Sequence, residues 1–170
     1  MKNQKGFSLI ELLLVVVIIG IIAAIAIPNL LASRRAANQS SAISSLRTYH
    51  QAQMTYQTTI GGGQFANATF AGSNALPTLA SANLIDSVLA SGSKSGYTFW
   101  CWSSFTSTGI GQFGGRATPT VTSGITQTGI LQFLMLTEGV IYSDAVGGSM
   151  TVNIISGNSI VIANGTPLNN

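Results

Sequence analysis

Charge is what this sequence has least of. Asp, Glu, Lys and Arg together make up 6% of the 170 residues, against about 25% in an ordinary soluble chain. A solvated disordered polymer is thereby excluded, because it needs high net charge and low hydrophobicity, and here 46% of the residues are hydrophobic. Polarity comes instead from Ser, Thr, Asn, Gln and Gly, which suits an extracellular, β-rich surface. Reactive groups are equally scarce. Four carboxylates, one histidine and one cysteine contain no Ser–His–acid set, no metal-ligand spacing and no phosphate-binding P-loop, so neither an enzyme nor a cofactor is expected. A single Cys101 rules out an internal disulfide. It lies in the aromatic run Tyr97-Thr-Phe-Trp-Cys-Trp-Ser103, which reads as a strand carrying a buried thiol, with a nucleophile or an intermolecular disulfide as the alternatives. Cations are too few and too scattered, at Arg34, Arg35, Arg47, Lys94 and Arg116, to form a phosphate-binding stripe, so no nucleic-acid partner is expected. Aromatic side chains are missing between Phe7 and Tyr49, which gives no support to an aromatic path along this segment.

What the chain does have is one long apolar run. From Leu12 to Ser33 there is no charge. As a helix these residues span about 33 Å, enough for a bilayer core of about 30 Å, and the run is too long for the apolar region of an ordinary signal peptide. Lys2 and Lys5 precede it and Arg34 and Arg35 follow it, so basic flanks alone do not orient the span. Ala24-Ile25-Ala26 is an A-x-A site at which a signal peptidase would release a soluble domain, but Pro28 two positions beyond is a poor neighbour for the cut. Glu11 is the anomaly. A carboxylate inside an apolar span costs about 2.5–3.5 kcal/mol at its centre and is a functional residue by default; the simpler account is an acid at the positive end of the helix dipole.

Lys5-Gly6-Phe7-Ser8-Leu9-Ile10-Glu11 followed by the apolar run resembles the class III leader of type IV prepilins and type II secretion pseudopilins. The resemblance implies cleavage by a prepilin peptidase between Gly6 and Phe7, followed by methylation of the new Phe7 amine. It implies that Glu11 pairs with the N-terminal amine of a neighbouring subunit, and that the Gly20–Pro28 interval unwinds when subunits pack into a filament. The expected life history is a single-pass inner-membrane protein assembled by dedicated machinery into a homo-oligomeric helical filament, without enzymatic activity of its own. A surface pilus is expected first; a periplasmic pseudopilus, or a minor pilin for adhesion or DNA uptake, are the alternatives. Removal of Lys2 and Lys5 with the leader lowers the net charge from +3 to +1.

Beyond the span the pattern predicts an α+β fold: a long N-terminal helix, bent near Pro28, packed against a small antiparallel β-sheet head. The expected divisions are a leader at 1–6, a membrane and filament-core half-helix at 7–33, an amphipathic half-helix at 34–60 and the head at 61–170. Proline removes a backbone donor and clashes with the preceding turn, and Gly20 to Pro28 is the weakest stretch by propensity. Ile43, Leu46, His50 and Met54 recur at spacings of three and four and mark the face expected to pack under the head, with His50 in a packing role. Gly61-Gly62-Gly63 ends the helix. Ala75-Leu-Pro-Thr-Leu79, then Leu84-Ile-Asp86 and Val88-Leu89, suggest a loop and a short amphipathic helix, with Thr78 or Ser81 available as N-cap. Strands are expected at Tyr97–Phe105, at Gly129–Thr137 and Val140–Tyr142 flanking a Glu138-Gly139 turn, and at Met150–Ile155 and Ile160–Ala163. Gly109-Ile-Gly-Gln-Phe-Gly114 matches G-x-G-x-x-G, but Gly115-Arg-Ala-Thr-Pro119 cannot open the helix that a dinucleotide needs, so the segment reads as a loop. Asn67-Ala-Thr69 and Asn164-Gly-Thr166 are weak glycosylation sequons.

Overall fold

The structure, a computed structural model, describes residues 6–66, 74–104, 111–148, 151–155, 159–163 and 165–168. Lys2 and Lys5, the sequon residues Asn67, Thr69 and Asn164, and Gly109 lie outside the described residues. The chain forms two compact units, Met1–Arg34 and Arg35–Asn170, and helix α1 (Leu9–Thr59) begins in the first and ends in the second.

In the first unit the Ser8 carbonyl accepts from the Glu11 and Leu12 amides at 3.1 and 3.3 Å and starts the helix. Helical hydrogen bonding carries on past Pro28. The Asn29 side chain turns back to donate to the Ile25 carbonyl at 3.1 Å, in the turn where proline leaves the backbone one donor short.

In the second unit α1 becomes one-sided. Ala42, Ser45, Leu46, Tyr49, Ala52 and Gln53 are its buried residues, spaced three and four apart as one helix face requires. This face is rotated from the expected stripe: Leu46 is at its centre, while Ile43, His50 and Met54 are half-buried at its margin. Small residues caused the shift. Ala42, Ser45 and Ala52 let the helix lie close to the sheet, and Gly115 opposite them lacks the Cβ that would stand 3.2 Å from both Leu46 and Tyr49. Gln53 is polar yet fully buried because its amide is satisfied: it donates to Tyr49 Oη at 2.9 Å and to the Ala66 carbonyl at 3.3 Å, and accepts from the Ala66 amide at 2.8 Å. The helix ends where expected, with Gly61 donating to the Tyr56 carbonyl at 2.7 Å and with Gly62 and Gly63 at φ 57° and 91°, a region open to glycine.

Two short helices follow, α2 (Leu76–Ser81) and α3 (Ser87–Ala90), in place of the single one expected. Neither Thr78 nor Ser81 is a cap. Pro77 opens α2, where its missing N–H costs nothing, and Asp86 caps α3 by accepting from the Leu89 amide at 2.7 Å.

The sheet is antiparallel, in the order β1-β2-β3-β4-β5-β8, from β1 (Ser93–Lys94), β2 (Tyr97–Ser104), β3 (Gln112–Pro119), β4 (Leu131–Leu136), β5 (Ile141–Ala145) and β8 (Thr166–Pro167). Strands β6 (Thr151–Ile155) and β7 (Ser159–Ala163) pair as a separate hairpin. Alternation along each strand sends Tyr97, Phe99, Cys101, Phe113, Ala117, Phe133, Met135 and Ile141 into the core beneath α1. Trp102, Leu134 and Leu136, with Tyr142, form a smaller cluster on the other face. The G-x-G-x-x-G match is corrected here: Gln112–Gly114 is the start of β3, not a loop. Its glycine is a packing device, since a Cβ on Gly114 would come within 2.6 Å of the Trp102 ring. The Glu138-Gly139 turn forms as expected, Gly139 donating to the Leu136 carbonyl at 2.9 Å with φ 79°.

Candidate membrane and assembly segment

The residues that carry chemistry in the sequence lie in order along the first turns of α1. Gly6 and Phe7 precede the helix, with Phe7 85% exposed. Glu11 is the acidic residue of the first turn, one helical turn beyond Phe7. At that place the positive end of the helix dipole favours a negative charge. Among the described residues the Glu11 side chain has no hydrogen-bond or ion-pair partner. Phe7 and Glu11 are therefore close in sequence and both exposed.

Around them everything is apolar and uncovered. None of the most apolar 18-residue window of α1 is buried; from Leu9 to Leu30 all the large hydrophobic side chains are exposed. A soluble protein does not leave such a contiguous surface open to water. A helix apolar on all sides is a membrane span or the buried core of an assembly. Gly20 has nothing within 4 Å of the position its Cβ would take, so no neighbour within the chain requires a glycine there.

Among the described residues no group of three or more His, Cys, Asp and Glu stands close enough to hold a metal. Cys101 is fully buried, and desolvation raises its thiol far above the usual range, so it carries no thiolate at physiological pH. The Tyr49 hydroxyl is likewise raised by burial and donates to the Trp102 carbonyl at 3.3 Å. Burial pushes Tyr97 up to about 12, and its hydroxyl donates to the Leu131 carbonyl at 2.8 Å. His50 contacts the Thr137 carbonyl through Nε2 at 3.0 Å and tilts against Phe113, a packing role. An ion pair joins Lys94 to Asp86 at 2.8 Å; the Lys94 ammonium and the Leu89 amide hold the Asp86 carboxyl below its ordinary value.

Sequence reasoning missed the end of the head where α1 enters it. There Asn38 donates to the Thr128 carbonyl at 2.9 Å and Ser41 to Ser95 at 2.9 Å, while Arg35 Nε is buried without an acceptor among the described residues. The Ser33-Arg-Arg-Ala-Ala-Asn-Gln stretch is polar without apolar periodicity, so it carried no packing signal.

Comparison with known proteins agrees with this emphasis on the N-terminus. Residues 1–27 match the prokaryotic N-terminal methylation motif. Over 57 residues the chain is 51% identical to the type IV wide pilus major component PilA4 of Thermus thermophilus, which covers 34% of this chain and 44% of that protein. It is 48% identical over 54 residues to the type IV major pilin protein PilA of Myxococcus xanthus, 32% of this chain and 24% of that one. It is 39% identical over 57 residues to the type II secretion system core protein G of Vibrio cholerae, covering 34% and 39%. The matched region thus spans less than half the length of each of these relatives. No solved structure shows a significant match.

Proposed function

We propose, for a chain whose N-terminal segment belongs to the type IV pilin and type II secretion pseudopilin family, that it is the structural subunit of a type IV pilus-like filament. In this proposal the subunit is drawn from an inner-membrane pool after its leader is cut between Gly6 and Phe7. One observation carries it. Glu11 is the only charged residue from Phe7 to Ser33, in the half of α1 whose most apolar window is left uncovered. Such a helix is stable in lipid first and afterwards against copies of itself. Cutting ahead of the span keeps it in the mature protein and creates a new amine at Phe7. An amine and a carboxylate buried in the same filament core are far less costly together than either is alone, since an unpaired buried ion costs several kcal/mol. Glu11 then acts as a register device, and the subunit needs no catalytic activity of its own.

The similarity to core protein G favours a second reading, a pseudopilin whose filament stays in the periplasm. Two measurements test both. N-terminal sequencing of the mature protein should begin at Phe7; a first residue of Ile27 would mean release by signal peptidase and sink the filament proposal. Filaments sheared from the cell surface should contain the chain as an abundant subunit. Correct processing together with absence from those filaments would select the pseudopilin.

A further inference from the structure

Helices α1, α2 and α3 cover one face of the six-stranded sheet: their buried Leu46, Leu79 and Leu89 share a core with Phe99, Phe113 and Met135. The opposite face is buried as well. Leu134 and Leu136 are 1% and 2% exposed and Trp102 8%, and they cluster with half-buried Tyr142. This burial is that of a single chain, so the cover over the face belongs to the chain itself. An apolar cover is indicated. Among the described residues Trp102 Nε1 is buried without an acceptor, whereas a buried indole N–H ordinarily finds one where polar groups are in reach.

The chain is carried onto that face directly after β5. Gln132 shares the face with Leu134 and Leu136 by alternation along β4. Its Nε2 donates to the Ala145 carbonyl at 3.3 Å and to the Gly148 carbonyl at 3.1 Å. The turn is tight: the Gly148 amide donates to the Ala145 carbonyl at 2.9 Å, and Gly147 takes φ 88°, a left-handed conformation open to glycine. A Cβ on Gly148 would collide with the Asp144 carboxylate. Strand β6 begins three residues further on, at Thr151. The return is as short, for β7 ends at Ala163 and Thr166 pairs with Ser143 of β5. Both ends of the β6–β7 hairpin are thus tied to β5, beside Gln132.

Register decides what the hairpin brings there. Val152 is opposite Ile162 and Ile154 opposite Ile160, so these four residues share one face of the hairpin, while Asn153 and Val161 are placed on the other. A two-stranded hairpin is marginal in water by itself, and an apolar face of this kind calls for a second layer. The lengths agree: from Gln132 to Leu136 along β4 is about 14 Å, and a five-residue strand spans about 17 Å. We infer that β6–β7 folds back as a second layer over this face of the sheet, its Val152–Ile154–Ile160–Ile162 face closing on the Trp102, Leu134 and Leu136 cluster. The surface that the head then offers to other molecules at this place is the opposite face of the hairpin, with Thr151, Asn153 and Ser159 on it. It is a neutral surface, since no residue from Ala145 to Asn170 is charged.

The experiment uses the full chain in detergent micelles with Trp100→Phe as background, which leaves Trp102 as the sole tryptophan. Ile154→Ser together with Ile160→Ser should raise acrylamide quenching of Trp102 at least threefold and shift its emission to the red. Val161→Ser, on the opposite face of the same hairpin, should leave both unchanged. An equal response to the two changes, or none to either, overturns the inference. A second measurement does not depend on how well the serine variant folds. Leu134→Cys is combined in turn with a cysteine at position 152, 154, 160 or 162, and at least one pair should oxidise to a disulfide within one chain, whereas Leu134→Cys with Val161→Cys should not. A bond between two chains overturns the inference in favour of a second copy lending its hairpin. No bond in any of the four pairs, or equal yield with position 161, overturns the hairpin as the cover.

Discussion

Glu11 illustrates how a single side chain separates two environments. Glu11→Ala removes a costly charge from the span, so the membrane-bound monomer should accumulate at least as well as the unsubstituted protein. If Glu11 pairs with the Phe7 amine of a neighbour, the same change leaves that amine unpartnered, at several kcal/mol per subunit. Sheared-filament yield should then collapse while processing at Gly6 continues, and Glu11→Gln should resemble Ala. Equal yields would reduce Glu11 to an acid favoured by the helix dipole. In the head, Gly115→Val puts a branched side chain where even a Cβ stands 3.2 Å from Leu46 and Tyr49. Overpacking of this kind costs about 1–3 kcal/mol, read as a lower unfolding temperature of the full chain in detergent. Asp86→Ala should cost about 1 kcal/mol through the lost α3 cap, the exposed pair with Lys94 adding little. Because folding lowers the Asp86 carboxyl, its contribution is present above the ordinary carboxylate range and fades as pH falls through the lowered value. The difference between unsubstituted and Asp86→Ala protein should therefore shrink on acidification. None of these head contacts was legible beforehand: a glycine in a strand and an aspartate between two short helices show their use only with their neighbours in place.

Helix α1 is the element on which local propensity and later use conflict. Proline in a helix interior costs about 3 kcal/mol relative to alanine, yet α1 carries on past Pro28. Pro28→Ala should therefore stabilise the monomer's helix, seen as increased helical circular dichroism in detergent. If the Gly20–Pro28 interval unwinds on assembly, as the family resemblance implies, the same variant should give fewer or stiffer filaments. Normal yield and unchanged extension under load would remove that role from Pro28. The sheet was readable in part. Its long alternating strands and its glycine-bearing Glu138 turn stood out by composition, whereas β3, with the glycine pair Gly114-Gly115 and ending in Pro119, did not. Glycine is depleted in strands on average; here the close approach of Trp102 on one face and of α1 on the other requires it.

The whole molecule consists of two units that obey different solvents. The apolar half of α1 must satisfy every backbone group internally wherever water is absent, and the head packs its own core without a disulfide. Heating in detergent micelles should melt the head in one cooperative transition while helical signal from about 25 residues persists. Simultaneous loss of all helicity would mean that the micelle does not hold the span. Charge economy runs through both units. Carboxylates are few enough that each is either spent on a local contact, as Asp86 is, or left exposed, as Glu11 and Glu138 are. Long-range steering by the net field is correspondingly weak.

The sequence by itself determined the membrane-length helix, the Gly6–Phe7–Glu11 motif ahead of it and the α+β class, because each depends on runs or spacings within one segment. Length, the absence of charge and the period of apolar residues are local quantities, and the bilayer and the backbone respond to them directly. Tertiary structure alone decided which face of α1 is buried, why Gln53 is tolerated in the core, why Gly114 and Gly115 occupy a central strand, and which loop lies where α1 enters the head. Each of these depends on a close approach between residues distant in the chain. An approach of that kind turns on the volume of a missing Cβ or the position of one acceptor, and no periodicity records it.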